Sequence, residues 1–368
     1  MSADRFITLA IHTYEKAIAL KALLEREGVN SILNNVNLTA PAVSSGVRVR
    51  IKEKDLPLAL RIVENLDIFD RKLNSQDLQP KILVPVDFSD YSHRACLMAF
   101  NLAKTYNASI DILHSFIYTH PIDKLTKFDD DLSLRELNDN IERDAQVQMA
   151  KFSEKLIEQI KFGIIPPIRF NTTVKEGVPE DIISEFAKQM RPYMIVMGTR
   201  GSGKKEKELI GSVTGEVLDS CRFPVFAVPE SANIFDIKKL NHLVFFCNNE
   251  HEDIVALDTM YRLFPQITPH VTIITIPHKT ITIVDSFISS NEELQKYCKE
   301  NFPRFNVKIK SFDLKDINSE FEHIEREHKI DLIVVPNKKK NVFSRFFNPS
   351  LAHKILLHAD IPMITIPI

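Results

Sequence analysis

Apolar and polar residues take turns along FITLAIH, as they do on a half-buried strand. From Tyr14 to Glu27 the period lengthens, placing Ala17, Leu20, Leu23 and Leu24 on one helical face with Gly28 as the stop. SILNNV and VRVRI predict two more strands. In VRVRI, Val47, Val49 and Ile51 face one way and Arg48 and Arg50 the other, so one side of that sheet meets water. Asp55 to Leu66 predicts a helix with Leu56, Ala59, Leu60 and Val63 inward. The order βαββα over residues 1–70 implies a small α+β domain of ferredoxin-like type. DRKLNSQDLQP is polar and ends in proline, which makes residues 71–80 a linker.

The pattern then changes. ILVPV, SIDILHSF, IRFNTTV, YMIVMG and FPVFAVP are short, mostly apolar runs, and helical periodicity separates them. Ser92–Tyr106, Leu132–Phe162 and Pro179–Met190 are the clearest helices, with a further one around Glu216–Ser220. Leu137, Ile141, Ala145, Met149, Phe152, Leu156 and Ile160 mark the long one at three- and four-residue steps. Strands alternating with helices predict a doubly wound parallel sheet buried on both faces over residues 81–230. LVFFC, VTIITIP, KIDLIVVP and DIPMITIPI repeat four of the strands, so a second, degenerate copy is expected at 240–368. An open sheet edge is a pairing hazard, and pairing the two copies within the chain would cover it. The fold class is therefore α/β: two parallel-sheet domains plus the small N-terminal one.

Composition narrows the function. A chain of 368 residues suggests two or three domains. A net charge of -2 gives no electrostatic case for nucleic acid or an anionic membrane, and Lys338, Lys339 and Lys340 read as a solvated loop. No window approaches 18 apolar residues, and MSADRFITLA lacks a basic segment leading into an apolar one. Neither a membrane span nor a secretory leader is expected, and the cytoplasm is the expected location. Cys96, Cys221, Cys247 and Cys298 form no C-x-x-C pair and read as free thiols.

One stretch carries chemistry. After YMIVM the chain reads GTRGSGKKEKELIGSVT, with Gly198, Gly201 and Gly211 followed at once by Ser212. Glycines let backbone N–H groups approach a polyphosphate, and a helix opening at Gly211, Ser212 and Val213 offers its positive dipole end. The site lies beyond the carboxyl end of a parallel strand, where open sheets bind ligands. The same glycines could serve as turns alone. The first strand ends VPVDFS, putting Asp87 at a carboxyl tip, where it could accept from a ribose hydroxyl or an adenine amine, or simply cap the following helix. GTRGSGKK approaches a P-loop, but Lys205 stands where Ser or Thr would hold Mg²⁺. His114 reads as a satisfied strand-end histidine, and His12, His93 and His120 lack zinc spacing.

KILVPVDFSDYS, VKEGVPEDIISEFA, IVMGTRG, GSVTGEVL and PVFAVPE resemble the universal stress protein family, whose fold is Rossmann-like (HUP-like). The spacing G-x2-G-x9-G-[ST] is similar to that of its ATP-binding branch. The resemblance implies that Asp87 and Ile110 hold adenine, with Val86 beside Asp87. It implies that Pro85 and Gly198 line the ribose. Phosphates would fall to Gly201, Gly211, Ser212, Val213 and Thr214, with Thr199 and Arg200 in the loop between them. ATP or another adenine nucleotide is the implied ligand, with Mg²⁺ or Mn²⁺ on the phosphates. SGKKEKELI, between Gly201 and Gly211, is more charged than the family pattern, and Lys204, Lys205 and Lys207 are read as exposed. In the second copy the Asp87 position is taken as Cys247 and the Gly198 position as Pro336, with NKKKNVFSRFFNPS replacing the glycine loop. Phe343, Phe346 and Phe347 would fill space there. Residues 6–68 resemble a small bacterial signal-transducing domain, a place for a protein partner or a second copy of the chain. A nucleotide-dependent stress-signalling module, a slow ATPase and an interaction scaffold are the functions carried forward.

Overall fold

A computed structural model describes residues 6–12, 17, 20–21, 24–25, 28–35, 47–64, 79–118, 131–200, 211–230, 232, 236–247, 251–275, 291–311, 329–337 and 361–367. The chain divides into two compact units, Met1–Leu78 with Glu250–Thr259, and Gln79–Asn249 with Met260–Ile368.

In the first unit, β1 (Phe6–His12), β2 (Ser31–Asn35) and β3 (Val47–Lys52) form an antiparallel sheet in the order β1-β3-β2. Val49 and Ile51 are fully buried and Arg48 is exposed, as the alternation of VRVRI requires. Arg50, on the same face as Arg48, turns its guanidinium back to donate to the carbonyl of Phe6 at 2.7 Å. Ala17, Leu20, Leu24 and Val29 join them in one core. The last helix runs Leu56–Glu64 (α1) after a 3-10 turn at Glu53–Asp55. There Ile62 is buried with Ala59, whereas Leu60, expected inward, is half-buried.

The second unit contains β4 (Lys81–Pro85), α2 (Asp90–Tyr106), β5 (Ser109–Phe116), α3 (Asp131–Lys161) and β6 (Phe170–Glu176). It continues through α4 (Pro179–Met190), β7 (Met194–Gly198), α5 (Ser212–Ser220) and β8 (Val225–Val228). Local chemistry sets the helix ends. The Ser89 hydroxyl caps α2, accepting from the N–H of Ser92. Pro179 opens α4 with Glu180 and Asp181 in its first turn, where the helix dipole favours acids. Next come β9 (His242–Cys247), α6 (His251–Leu263), β10 (His270–Thr275), α7 (Asn291–Asn301), β11 (Asn306–Ser311), β12 (Leu332–Asn337) and β13 (Met363–Pro367).

Ten strands form one sheet in the order β11-β10-β9-β12-β13-β8-β7-β4-β5-β6. Numbered from its own first strand, each half reads 3-2-1-4-5. Pairing is parallel within each half, and β8 meets β13 antiparallel. The halves repeat down to single hydrogen bonds. Tyr193 N–H donates to Lys81 C=O at 2.8 Å, and Asp331 N–H to His242 C=O at 3.0 Å. Ile195 N–H reaches Pro224 C=O at 2.8 Å, and Ile333 N–H reaches Pro362 C=O at 3.0 Å. Registers Ile82↔Met194 and Leu243↔Leu332 then align Lys81 with His242. This corrects one sequence assignment. Cys247 matches Val86, and the Asp87 position falls one residue later, on Asn248, outside the described residues.

The central strands β4, β7, β9 and β12 are buried essentially throughout, as expected of parallel strands covered on both faces. The outermost strands β6 and β11 are mostly exposed or half-buried, because an edge has a neighbour on one side only. Among the described residues no helix is long and apolar enough to cross a membrane. All four cysteines are buried free thiols, and burial pushes that of Cys298 up to about 12.

Deleting residues 360–368 removes β13 and leaves β8, a strand of four buried residues, with an open edge. Light scattering on the truncated chain should show association or precipitation. A well-behaved monomer with unchanged melting would show that the seam does not protect the edge.

Candidate functional site

The chain leaves β4 toward β5 and β6 on one side of the sheet and later returns on the other side through β7 and β8. Between β4 and β7 the winding reverses, and the crevice beyond their carboxyl ends is where such sheets hold ligands. A cavity of about 470 Å³ lies there, within the range of small-molecule sites. Pro85, Val86 and Asp87 reach it from the end of β4, Met197 and Gly198 from β7, and Gly211 to Thr214 from the start of α5, with Arg200 between.

Nine of the twelve residues named from sequence therefore line one cavity. Three do not. Ile110 is buried at the amino end of β5, opposite Ile82 and Phe170, at the far end of the strand from the cavity. From β5 the cavity receives Leu113, His114 and Ser115 instead. The register Pro85↔Leu113 shows why, since residues level with the Asp87 turn must follow Leu113. Thr199 is buried beside the cavity. Its N–H donates to Val228 C=O at 3.0 Å and its carbonyl accepts from Gly211 N–H at 2.8 Å, which clamps the two ends of the intervening loop. Gly201 lies outside the described residues, as do Lys204, Lys205 and Lys207. Phe343, Phe346 and Phe347 in the second copy also fall outside them.

Two expectations change in detail. Asp87 does not cap α2 directly. Its Oδ1 accepts from the N–H of Ser89 at 3.1 Å and from the Ser89 hydroxyl at 2.5 Å, and Ser89 is the cap. The turn is tight enough to place Phe88 at φ 64°. Thr214, expected to offer its hydroxyl to phosphate, donates it to the carbonyl of Gly198 at 2.8 Å. This bond fixes the first turn of α5 to the end of β7.

Gly198 is needed for close approach. A Cβ there would sit 3.0 Å from the backbone carbon and oxygen of Tyr91, in the first turn of α2. Gly211 is the N-cap of α5 and supplies no side-chain cap. The first-turn N–H groups of α5 have no carbonyl four residues back within the helix to bond, so they and the dipole end are suited to an anion. Asp87 is the acid on the same cavity wall.

Sequence reasoning treated His114 as structural and missed its place in the wall. Its Nδ1–H donates to Val86 C=O at 2.8 Å, and its ring lies 4.2 Å from that of Phe88. Phe88 in turn contacts Phe152 of α3, which meets His93 edge-on, and His93 Nε2 bonds Gln159 Oε1 at 3.1 Å. Ser92, Pro179 and Ile183 were missed as well. The motif VKEGVPEDIISEFA already contained the last two.

Burial holds both His93 and His114 below the ordinary 6.5, against hydrogen bonds that work the other way. A depressed folded value means that the unfolded chain binds more protons below pH 6.5. The stability these rings contribute is complete above 6.5 and lost as pH falls through their folded values. The urea midpoint should therefore fall between pH 7 and pH 5, and His93→Gln with His114→Gln should flatten that slope. An unchanged slope in the double variant would assign the loss to other groups.

The universal stress protein family matches residues 80–229. A universal stress protein of Methanocaldococcus jannaschii is 30% identical over 155 residues, which is 42% of this chain and 85% of its own length. YxiE of Bacillus subtilis, also a universal stress protein, is 26% identical over 152 residues, 40% of this chain and 97% of its own. A solved universal stress protein of Archaeoglobus fulgidus matches in fold across 78% of this chain and 98% of its own, with a TM-score of 0.57 at 17% identity. The first of these covers enough of a relative, at sufficient identity, to settle descent, and the chain belongs to the universal stress protein family.

Proposed function

We propose that the cavity binds ATP or another adenine nucleotide, and that its occupancy makes the chain a nucleotide-dependent regulatory module of stress signalling. The observation that carries this is the start of α5 at Gly211, which offers no side-chain cap, opening onto the same cavity as Asp87. A polyphosphate needs inward-pointing N–H groups and approach without a Cβ, which Ser212 to Thr214 and Gly198 supply. The adenosine end needs an acceptor and an apolar wall. Asp87 supplies the acceptor, and Val86, Leu113 and Met197 supply the wall. Ser115 takes the part in holding adenine that the resemblance implied for Ile110. Arg200 adds a cation on the phosphate side.

Mg²⁺ or Mn²⁺ would ride on the phosphates. Among the described residues no group of three or more His, Cys, Asp or Glu could hold a metal by itself. Phosphoryl transfer needs an oriented nucleophile as well as a cradle. His114 spends its Nδ1 proton on Val86 C=O, a structural duty. Binding rather than turnover is therefore the main reading, with slow hydrolysis and a pure scaffold as its rivals. Buried free thiols suit a reducing compartment such as the cytoplasm. Residues 1–70 offer a separate folded unit for a protein partner or for homodimer contact.

Titration calorimetry with Mg-ATP on the full chain should give one site per chain. A hundredfold excess over the dissociation constant should stabilise the fold by about 2.7 kcal/mol. Asp87→Ala should weaken binding by about tenfold, as loss of a charge-assisted hydrogen bond does. Steady ADP release that Asp87→Ala abolishes would make the protein an ATPase. No heat and no melting shift with any adenine nucleotide would leave the scaffold.

A further inference from the structure

We infer that Asn337, from the half of the sheet without a glycine loop, positions the phosphate-binding helix of the other half. This rests on the nucleotide reading above. By register Asn337 is the counterpart of Thr199, the residue that follows the last strand position before the loop. In the first half that position clamps the loop. In the second half its side chain is buried, 7% exposed, and its Nδ2 donates to the carbonyl of Leu218.

The antiparallel seam makes this contact available. Because β13 and β8 run in opposite directions, the carboxyl tip of β12 lies at the same end of the sheet as the start of β8. There α5 finishes. Leu218 is in its last turn, where carbonyls lack a partner within the helix. Val217 C=O accepts from Cys221 N–H at 3.0 Å, and Asn337 serves the next carbonyl. The same face of α5 packs into the second half. Val217, Leu218 and Cys221 share a core with Phe246, Val335 and Met363.

A helix of nine residues is marginal by itself and depends on such packing. It is a rod about 13 Å long, so a tilt of about 10° at one end moves the other by about 2 Å. Hydrogen bonds from its first-turn N–H groups would not survive that displacement with good geometry. Asn337 thus acts on phosphate through α5 and touches no ligand itself.

The test uses the full chain with Asn337→Leu and Asn337→Asp, the second placing a carboxylate against the negative end of the helix. Asn337→Ser, too short to reach Leu218, replaces either one that fails to fold. Hydrogen exchange of residues 212–220 without ligand should rise relative to residues 90–106. Affinity for ATP should fall by about tenfold, about 1.4 kcal/mol. Affinity for adenosine should stay within about twofold, because Asp87 lies on another element. A purely structural role would weaken both ligands together. Unchanged exchange in folded variants overturns the proposal. If the wild-type chain binds no ATP, the nucleotide reading falls, and the exchange measurement still decides whether Asn337 holds α5.

Discussion

A half-sheet wound 3-2-1-4-5 ends on a strand with an unpaired edge, and everything distinctive here follows from how that edge is covered. Val225–Val228 is buried along its whole length and could not meet water at no cost. It pairs with the last strand of the second half, Met363 against Ala227, Ile364 against Phe226 and Thr365 against Val225. Antiparallel pairing rotates one half relative to the other, so their carboxyl edges point to opposite ends of a single sheet. A continuous apolar core runs beneath the join, from Ile183 and Leu218 to Ile333 and Met363.

The two halves share a backbone and differ in chemistry. Where Lys81 pairs with Asp111 at 3.6 Å, His242 and Thr272 make a hydrogen bond of 2.8 Å. Where a Cβ at Gly198 would meet Tyr91 in the first turn of α2 at 3.0 Å, the second half has Pro336. Strand identity survives these changes because it rests on apolar content and on backbone bonds that any residue supplies. A ligand site does not survive them, because it needs particular atoms at strand ends. On the nucleotide reading proposed above, the second half acts as a structural partner for the first and not as a second receptor.

Nine of the ten strands of the large sheet were legible because buried strands are short apolar runs between turn residues, as ILVPV and KIDLIVVP are. The strand Asn306–Ser311 was not singled out, although Val307 and Ile309 alternate with Lys308 and Lys310; an exposed edge strand carries only that weak signal. The glycine spacing, the strand-end acid and the family resemblance together named nine of the residues that line the cavity. Ile110 failed because the site sits at the carboxyl end of β5, and local sequence does not say which end of a strand faces a ligand until its neighbour's register is known. Asn337 was unreadable for a different reason. Its partner, Leu218, is 119 positions away and is met through a backbone carbonyl, which leaves no trace in residue type.

Helix α5 joins these threads. A ligand shifts a conformational equilibrium only by as much as it binds one state better than the other. For nucleotide occupancy to be felt beyond the cavity, some element must touch both the ligand and a surface able to rearrange. Helix α5 presents its first turn to the cavity and its last to Asn337, and α4 brings Ile183 to the cavity and to the shared core alike. Strain introduced by phosphate at one end of α5 must then be accommodated at the seam, since a close-packed core yields in steps and not continuously. Coupling of this kind is reciprocal: on the proposed reading, whatever stabilises the seam packing that the nucleotide favours also favours the nucleotide. On that reading, the half of the sheet without glycines sets the affinity of the half that has them.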